Sequence, residues 1–155
     1  MNVALLWLIN DRDEVLIARR AKNMDSDSDV WGLSVSGVVE PGETDSEGVL
    51  RETREELGLD TTGLMPIYLH NETYKHQDGK ARDFRFFYAR VKSNVIHSAQ
   101  LEPTEVAEIR WISVPNLRHL YQNHPEQIII SDAIELWRRI FFYLEEAISD
   151  SKTKA

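Results

Sequence analysis

GVVEPGETDSEGVLRETREELGL, from Gly37 to Leu59, is the stretch whose reading decides the fold. Pro41-Gly42 signals a turn. Thr44 stands three residues before Glu47, the spacing of a capping box, and Gly58 sits where a left-handed residue ends a helix, so a helix is expected over 46–57. On that helix Glu52, Glu55 and Glu56 fall at i, i+3 and i+4 and share a face, while Leu50, Thr53 and Leu57 share another that can dock on a sheet. Like charges at such spacing oppose helix formation by roughly 0.2–0.5 kcal/mol per pair. Arg51 and Arg54 offset part of that, and residues 51–56 keep a residual charge of −1. A solvated charged face is one reading of this pattern. A cation site is the other, because hard divalent cations prefer carboxylate oxygens and Mg²⁺ takes one or two of them while keeping water and substrate phosphate.

Working outward, residues 3–9 and 15–19 are short apolar runs separated by Asn10-Asp11-Arg12-Asp13, two strands joined by a turn. Leu33 to Val39 alternates like a strand and leads into the turn before the helix. Further strands are expected at 64–74, 84–91 and 106–112. From Gln127 to Ala147, Ile130, Ala133, Ile134, Trp137, Ile140, Phe141 and Leu144 recur at helical spacing, which predicts one long amphipathic helix over one side of the sheet. Residues 1–148 form one domain in this reading, and the polar residues 149–155 form a flexible tail. Strands mixed with dissimilar helices indicate an α+β architecture.

The composition narrows the function classes. Of the 155 residues none is cysteine, which excludes disulfides, Cys-ligated zinc and thiol nucleophiles. A net charge of −8 argues against a nucleic-acid polymer as partner, since such binding draws on Lys and Arg. It leaves room for a small phosphate compound reached through bound cations. No apolar run approaches the roughly 18 residues that span a bilayer, and the N-terminus reads as a buried strand rather than a leader, so a cytoplasmic protein without membrane contact is expected. Asp25 to Asp29 resembles a calcium loop only superficially, because Val30 stands where glycine is needed and Ser36 where the bidentate glutamate is needed. His119 and His124 have zinc-like spacing but no cysteine partners.

The helix segment resembles the Nudix box, G-x5-E-x7-R-E-U-x-E-E-x-G-U, in which U is a bulky aliphatic residue. Gly37, Glu43, Arg51, Glu52, Glu55, Glu56, Gly58 and Leu59 match, and Thr53 departs at the first U. A chance match of the seven identities is on the order of 10⁻⁹ per starting point. The resemblance implies a Nudix fold, a mixed β-sheet sandwiched between helices, and a MutT-like pyrophosphohydrolase that uses Mg²⁺, with Mn²⁺ as the alternative ion. It implies Glu52, Glu55 and Glu56 as catalytic metal ligands, Arg51 as the residue orienting a neighbouring glutamate, and Glu43 as support for the loop or the metal shell. Gly37 would let backbone approach the substrate closely.

Outside the box, Arg19 and Arg20 end the second strand where the family commonly places basic residues near substrate phosphate; an ordinary solvated pair is the alternative. Trp31 either stacks on a base or packs in the core. Glu105, before the strand that ends in Trp111, resembles the acidic residues that supply a base or an extra metal ligand in many Nudix proteins. The resulting expectation is Mg²⁺-dependent hydrolysis of a phosphoanhydride bond in a nucleoside-diphosphate-type metabolite or nucleoside triphosphate. The stretches DVWGLSVSGVVEPGET and EPTEVAEIRWISVPNL also resemble the isopentenyl-diphosphate-isomerase-like branch, which makes an isoprenoid diphosphate the alternative substrate. The main type of that isomerase uses a catalytic cysteine, absent here, so hydrolysis is expected. A ligand sensor without turnover is the competing class. A homodimer is a family-based expectation.

Overall fold

The computed structural model describes residues 1–24, 27–76 and 78–153. Part of the acidic run that begins at Asp25 therefore lies outside the described residues. Seven strands form one mixed sheet: β1 (Asn2–Ile9), β2 (Glu14–Arg20), β3 (Trp31–Gly32), β4 (Val35–Val38), β5 (Ile67–Lys75), β6 (Ala81–Arg90) and β7 (Val106–Ser113). Among the described residues three α-helices accompany them: α1 (Asp45–Leu57), α2 (Val114–Asn123) and α3 (Ile134–Thr153).

β1 is apolar along nearly its whole length because it is buried on both faces. Strand alternation sends Leu5, Trp7 and Ile9 into one core with Trp137, Ile140 and Leu144 of α3. It sends Ala4, Leu6 and Leu8 into a second core with Val49 and Leu57 of α1. The sheet is thus sandwiched between helices. Among the described residues no helix is long and apolar enough to cross a membrane.

The sheet is split at its centre. β1 runs parallel to β6 over its full length, yet it meets β2 at a single registered pair, Ile9 with Val15. Beyond that pair the two strands diverge, and residues 31–38 cross the gap: Trp31–Gly32 pair with β2, then Val35–Val38 pair with β1. Ser34 lies between, fully buried. Its hydroxyl accepts from the Leu8 amide at 2.9 Å and donates to the Leu16 carbonyl at 2.6 Å. These two bonds satisfy backbone groups that divergence would otherwise strand in the interior.

Two expectations need correction. Residues 127–133 do not continue a helix: after a 3-10 turn at Pro125–Gln127 the chain forms a loop in which Ile130 has a positive φ of 50°, and α3 starts at Ile134. α3 extends to Thr153, and near its end Arg90 donates to the Ser151 hydroxyl and the Ile148 carbonyl. The face of α1 that docks is Val49, Thr53 and Leu57, with Leu50 only half-buried. Thr53 fits there because its hydroxyl donates back to the Val49 carbonyl at 2.7 Å, leaving its methyl group to pack.

Candidate active site

α1 is held at both ends. The Thr44 hydroxyl accepts from the Glu47 amide and the Glu47 carboxylate accepts from the Thr44 amide, each at 3.1 Å. At the other end Gly58 adopts a left-handed φ of 64° and its amide donates to the Arg54 carbonyl. Between them Gly37 of β4 makes room for a catalytic candidate: a Cβ there would stand 2.2 Å from Cδ of Glu52, so the Glu52 side chain lies directly on the β4 backbone.

Glu52 and Glu56, one helical turn apart, meet Glu105 from the loop before β7. Each offers a carboxylate oxygen, and the three oxygens lie within 4.8 Å of one another. The Glu105 loop is fixed from two sides. Its Glu102 amide donates to the Glu56 carbonyl at 2.9 Å, and the Ala21 amide donates to the Glu105 carbonyl at 2.9 Å. Burial, followed by the negative charge of Glu52, raises the Glu56 carboxyl to about 9, with Arg20 pulling weakly the other way. Burial and then Glu52, Glu102 and Glu55 also push Glu105 upward. Three carboxylates gathered in one place, Glu56 and Glu105 among them with raised proton affinity, form a donor set suited to a hard divalent cation.

Glu55 and Glu43 stand apart from this cluster, each engaged by Arg51. Glu55 is 57% exposed at its side chain and accepts from Arg51 at 3.1 Å. Glu43, a candidate for the metal shell, has both oxygens occupied: Arg51 donates to them at 2.9 and 3.1 Å, and the Glu40 amide donates to Oε1 at 2.9 Å. These bonds tie Glu43 to the turn at Glu40 and to Arg51 of α1. Arg51 is the hub, also donating to Glu52 at 3.0 Å and to the Val38 carbonyl at 3.1 Å, and these partners, Glu43 first, hold its guanidinium above its ordinary proton affinity.

The carboxylates stand at one end of a cavity of about 320 Å³ that passes through the split between β1 and β2. Arg19, Arg20 and Gly37 line it. Arg19 is already paired with Asp29 and Glu108, and Arg20 donates to the Asp27 carbonyl at 2.9 Å. Trp31 is not in the cavity wall. It is 6% exposed in the α3-side core, with the Arg110 guanidinium 4.8 Å from its ring centroid. Sequence reasoning missed the wall contributed by Ile129, Ile130 and Leu136, since residues 127–147 read as one continuous helix.

A sheet split around a cavity, with a capped helix presenting carboxylates at its mouth, defines a class of α+β domain in which acidic groups face an enclosed ligand space. The chain belongs to the Nudix family, whose NUDIX domain model matches residues 1–133. It is 39% identical over 64 residues to an isopentenyl-diphosphate Delta-isomerase from Salmonella heidelberg (strain SL476), a match that takes in 41% of this chain and about a third (35%) of that relative. Among solved structures, a MutT protein from Methanosarcina mazei Go1 superposes with a TM-score of 0.73 at 21% identity, covering 95% of this chain and 94% of that one. An Ap4A hydrolase from C. elegans superposes with a TM-score of 0.62 at 18% identity, covering 81% and 89% respectively. These two likenesses concern the fold.

Proposed function

We propose that the chain is a Mg²⁺-dependent pyrophosphohydrolase that cleaves a phosphoanhydride bond in a small organic di- or triphosphate, nucleoside-diphosphate-type metabolites and nucleoside triphosphates included. The observation that carries this reading is the meeting of Glu52, Glu56 and Glu105 at the mouth of a cavity whose wall also holds Arg19 and Arg20. Glu52 and Glu56 would hold the ion, which when bound supplies charge neutralisation at phosphate and polarises the phosphorus for attack. Arg51 keeps Glu52 in place against Gly37. Arg20, close enough to influence both Glu56 and Glu105, places positive charge beside the phosphate chain.

Glu105 is assigned as the proton acceptor for the attacking water. It comes from a different element than the helix carboxylates, and its raised proton affinity suits a general base. Water adds to one phosphorus, the bond from that phosphorus to the bridging oxygen breaks, and the departing phosphate leaves past Arg20. The names of the relatives, an Ap4A hydrolase and an isopentenyl-diphosphate isomerase, both point to polyphosphate-bearing ligands.

The test is phosphate release with and without Mg²⁺ from nucleoside triphosphates, nucleoside diphosphates, nucleotide sugars, dinucleoside polyphosphates and isoprenoid diphosphates. Glu52→Gln and Glu56→Gln are expected to weaken Mg²⁺ activation by at least tenfold, and Glu105→Gln to lower kcat with KM nearly unchanged. Metal binding without turnover of any compound would replace the hydrolase by a ligand sensor.

A further inference from the structure

The cavity has an α1 side, where the carboxylates stand, and an α3 side, and β4 reaches both with consecutive residues. Gly37 faces α1, and the Glu52 side chain lies against its backbone. Ser36 faces the other way, as strand alternation requires. It is paired in register with Leu5 of β1, and Leu5 in turn with Phe86 of β6. Residues opposed in this way share a face of the sheet, so the Ser36 side chain stands in one row with Leu5 and Phe86 on the α3 side. Ser36 is half-buried, and all three residues of the row line the cavity.

Other polar side chains of the wall are spent within the fold. The Ser34 hydroxyl is shared between Leu8 and Leu16, the Trp137 indole donates to the Ile129 carbonyl at 2.9 Å, and Arg19 is engaged by Asp29 and Glu108. The Ser36 hydroxyl differs: among the described residues it takes part in no hydrogen bond. An occupant built of hydrocarbon alone would shut it off from water without a partner, which is unfavourable. A hydroxyl both donates and accepts, and it therefore suits a neutral polar group on a ligand.

Its place along β4 indicates which group. Successive strand residues are roughly 3.3 Å apart, so Ser36 meets the part of a ligand that follows directly on a phosphate held at Glu52. A sugar ring has the matching chemistry, with hydroxyls at its edge for Ser36 and C–H groups on its face for Leu5 and Phe86. We propose that Ser36 is a specificity-determining residue whose hydroxyl hydrogen-bonds a hydroxyl of a sugar carried on the substrate's phosphate chain. The inference rests on the pyrophosphohydrolase reading and narrows its substrate to phosphates of hydroxylated sugars, set apart from their deoxy counterparts.

The α,β-methylene analogues of ADP, GDP, CDP and UDP, whose carbon bridge resists hydrolysis, are titrated with Mg²⁺ into the wild type and Ser36→Ala by calorimetry. Each is used as the ribonucleotide and in its 2′-deoxy and 3′-deoxy forms. The wild type is expected to bind at least one ribonucleotide roughly tenfold more tightly than one of its two deoxy forms. Ser36→Ala is expected to bring that ratio to about one by weakening the ribonucleotide and sparing the deoxy form. Its Tm is expected to stay within about 2 °C of the wild type, because the hydroxyl has no partner in the fold to lose. Four results would each overturn the proposal: no binding of any analogue, no preference for a hydroxyl in the wild type, a preference that survives Ser36→Ala, or equal weakening of all forms in that variant. A large fall in Tm would overturn it as well, by showing the hydroxyl to be spent within the fold. Phosphate release from the four unmodified diphosphates is measured separately: none from any of them counts against hydrolysis, while the binding ratios still decide the role of Ser36.

Discussion

The Glu102 amide donates to the Glu56 carbonyl across 2.9 Å, so the loop that delivers Glu105 is fastened to the same helical turn that carries Glu56. Next to this bond the Gln100 amide donates to Leu57 at 2.8 Å. Gly58 makes the approach feasible, because a Cβ there would lie 2.5 Å from the Gln100 carbonyl oxygen. The spacing of the three carboxylates therefore depends on a residue that touches none of them.

Gly58→Ala is accordingly expected to act on both stability and catalysis. A left-handed φ of 64° combined with the clash at Gln100 should cost about 1–3 kcal/mol. The displaced loop should lower kcat as well. Glu105→Gln, which leaves the backbone alone, should lower kcat without the loss of Tm. Thermal unfolding and steady-state kinetics on the two variants check this, and an unchanged Tm in Gly58→Ala would show that the loop is not fastened as described.

Glu56 illustrates a conflict between stability and function. Its proton is favoured in the fold, so its contribution to stability is complete below the ordinary glutamate value of 4.5 and is lost as pH rises through about 9. In EDTA at pH 8 the metal-free wild type should thus melt a few degrees below Glu56→Gln, whose neutral amide avoids burying a charge beside Glu52. The gap should close toward pH 4.5. Mg²⁺ should stabilise the wild type and have much less effect on the variant, because a ligand that binds only the folded state raises its stability. A variant that melts lower than wild type at pH 8 in EDTA would contradict the assigned cost of burying this carboxylate beside Glu52.

Ser34→Ala tests the split in the sheet. The substitution leaves the Leu8 amide and the Leu16 carbonyl without their partner in a fully buried position. Unsatisfied buried groups cost about 1–3 kcal/mol each, so a fall in Tm of roughly 5–15 °C is expected for a chain of this size. Calorimetry decides it; a fall of a degree or less would mean that the two strands do not depend on this hydroxyl.

How much of this was legible beforehand follows from the range of the interactions. α1 could be read nearly to the residue because its signals are local: a capping box at Thr44 and Glu47, a terminating Gly58, and carboxylates at helical spacing. The separation of Glu55 from Glu52 and Glu56 was not legible, since it depends on how α1 is rotated against β4, with Val49 rather than Leu50 facing the sheet. Ser34 looked like any strand serine, because its partners are 26 and 18 residues away. α2 passed unrecognised although Ser113 caps it and Pro115 opens it; its ten residues include only a short apolar stripe. Ile130 misled in the opposite direction, as it extends the periodicity of α3 while serving, with Ile129, a cavity wall.

His70 supplies the remaining prediction, on acid stability. It is buried between the rings of Phe86 and Tyr143, at centroid distances of 4.3 and 4.1 Å, so β5 and α3 adhere partly through this stack. Nδ1 lies 3.3 Å from Glu72, which Arg139 of α3 also engages at 2.7 Å, while Nε2 has no hydrogen-bond partner. Burial lowers the proton affinity of the ring below its ordinary value of 6.5, and Glu72 only partly restores it. The unfolded chain therefore takes up this proton before the folded one does, and stability falls as pH drops below 6.5. His70→Phe keeps a flat ring in the stack and removes the titration. Its Tm should fall less steeply than that of the wild type between pH 7 and pH 5, and equal slopes in the two proteins would place the acid sensitivity elsewhere.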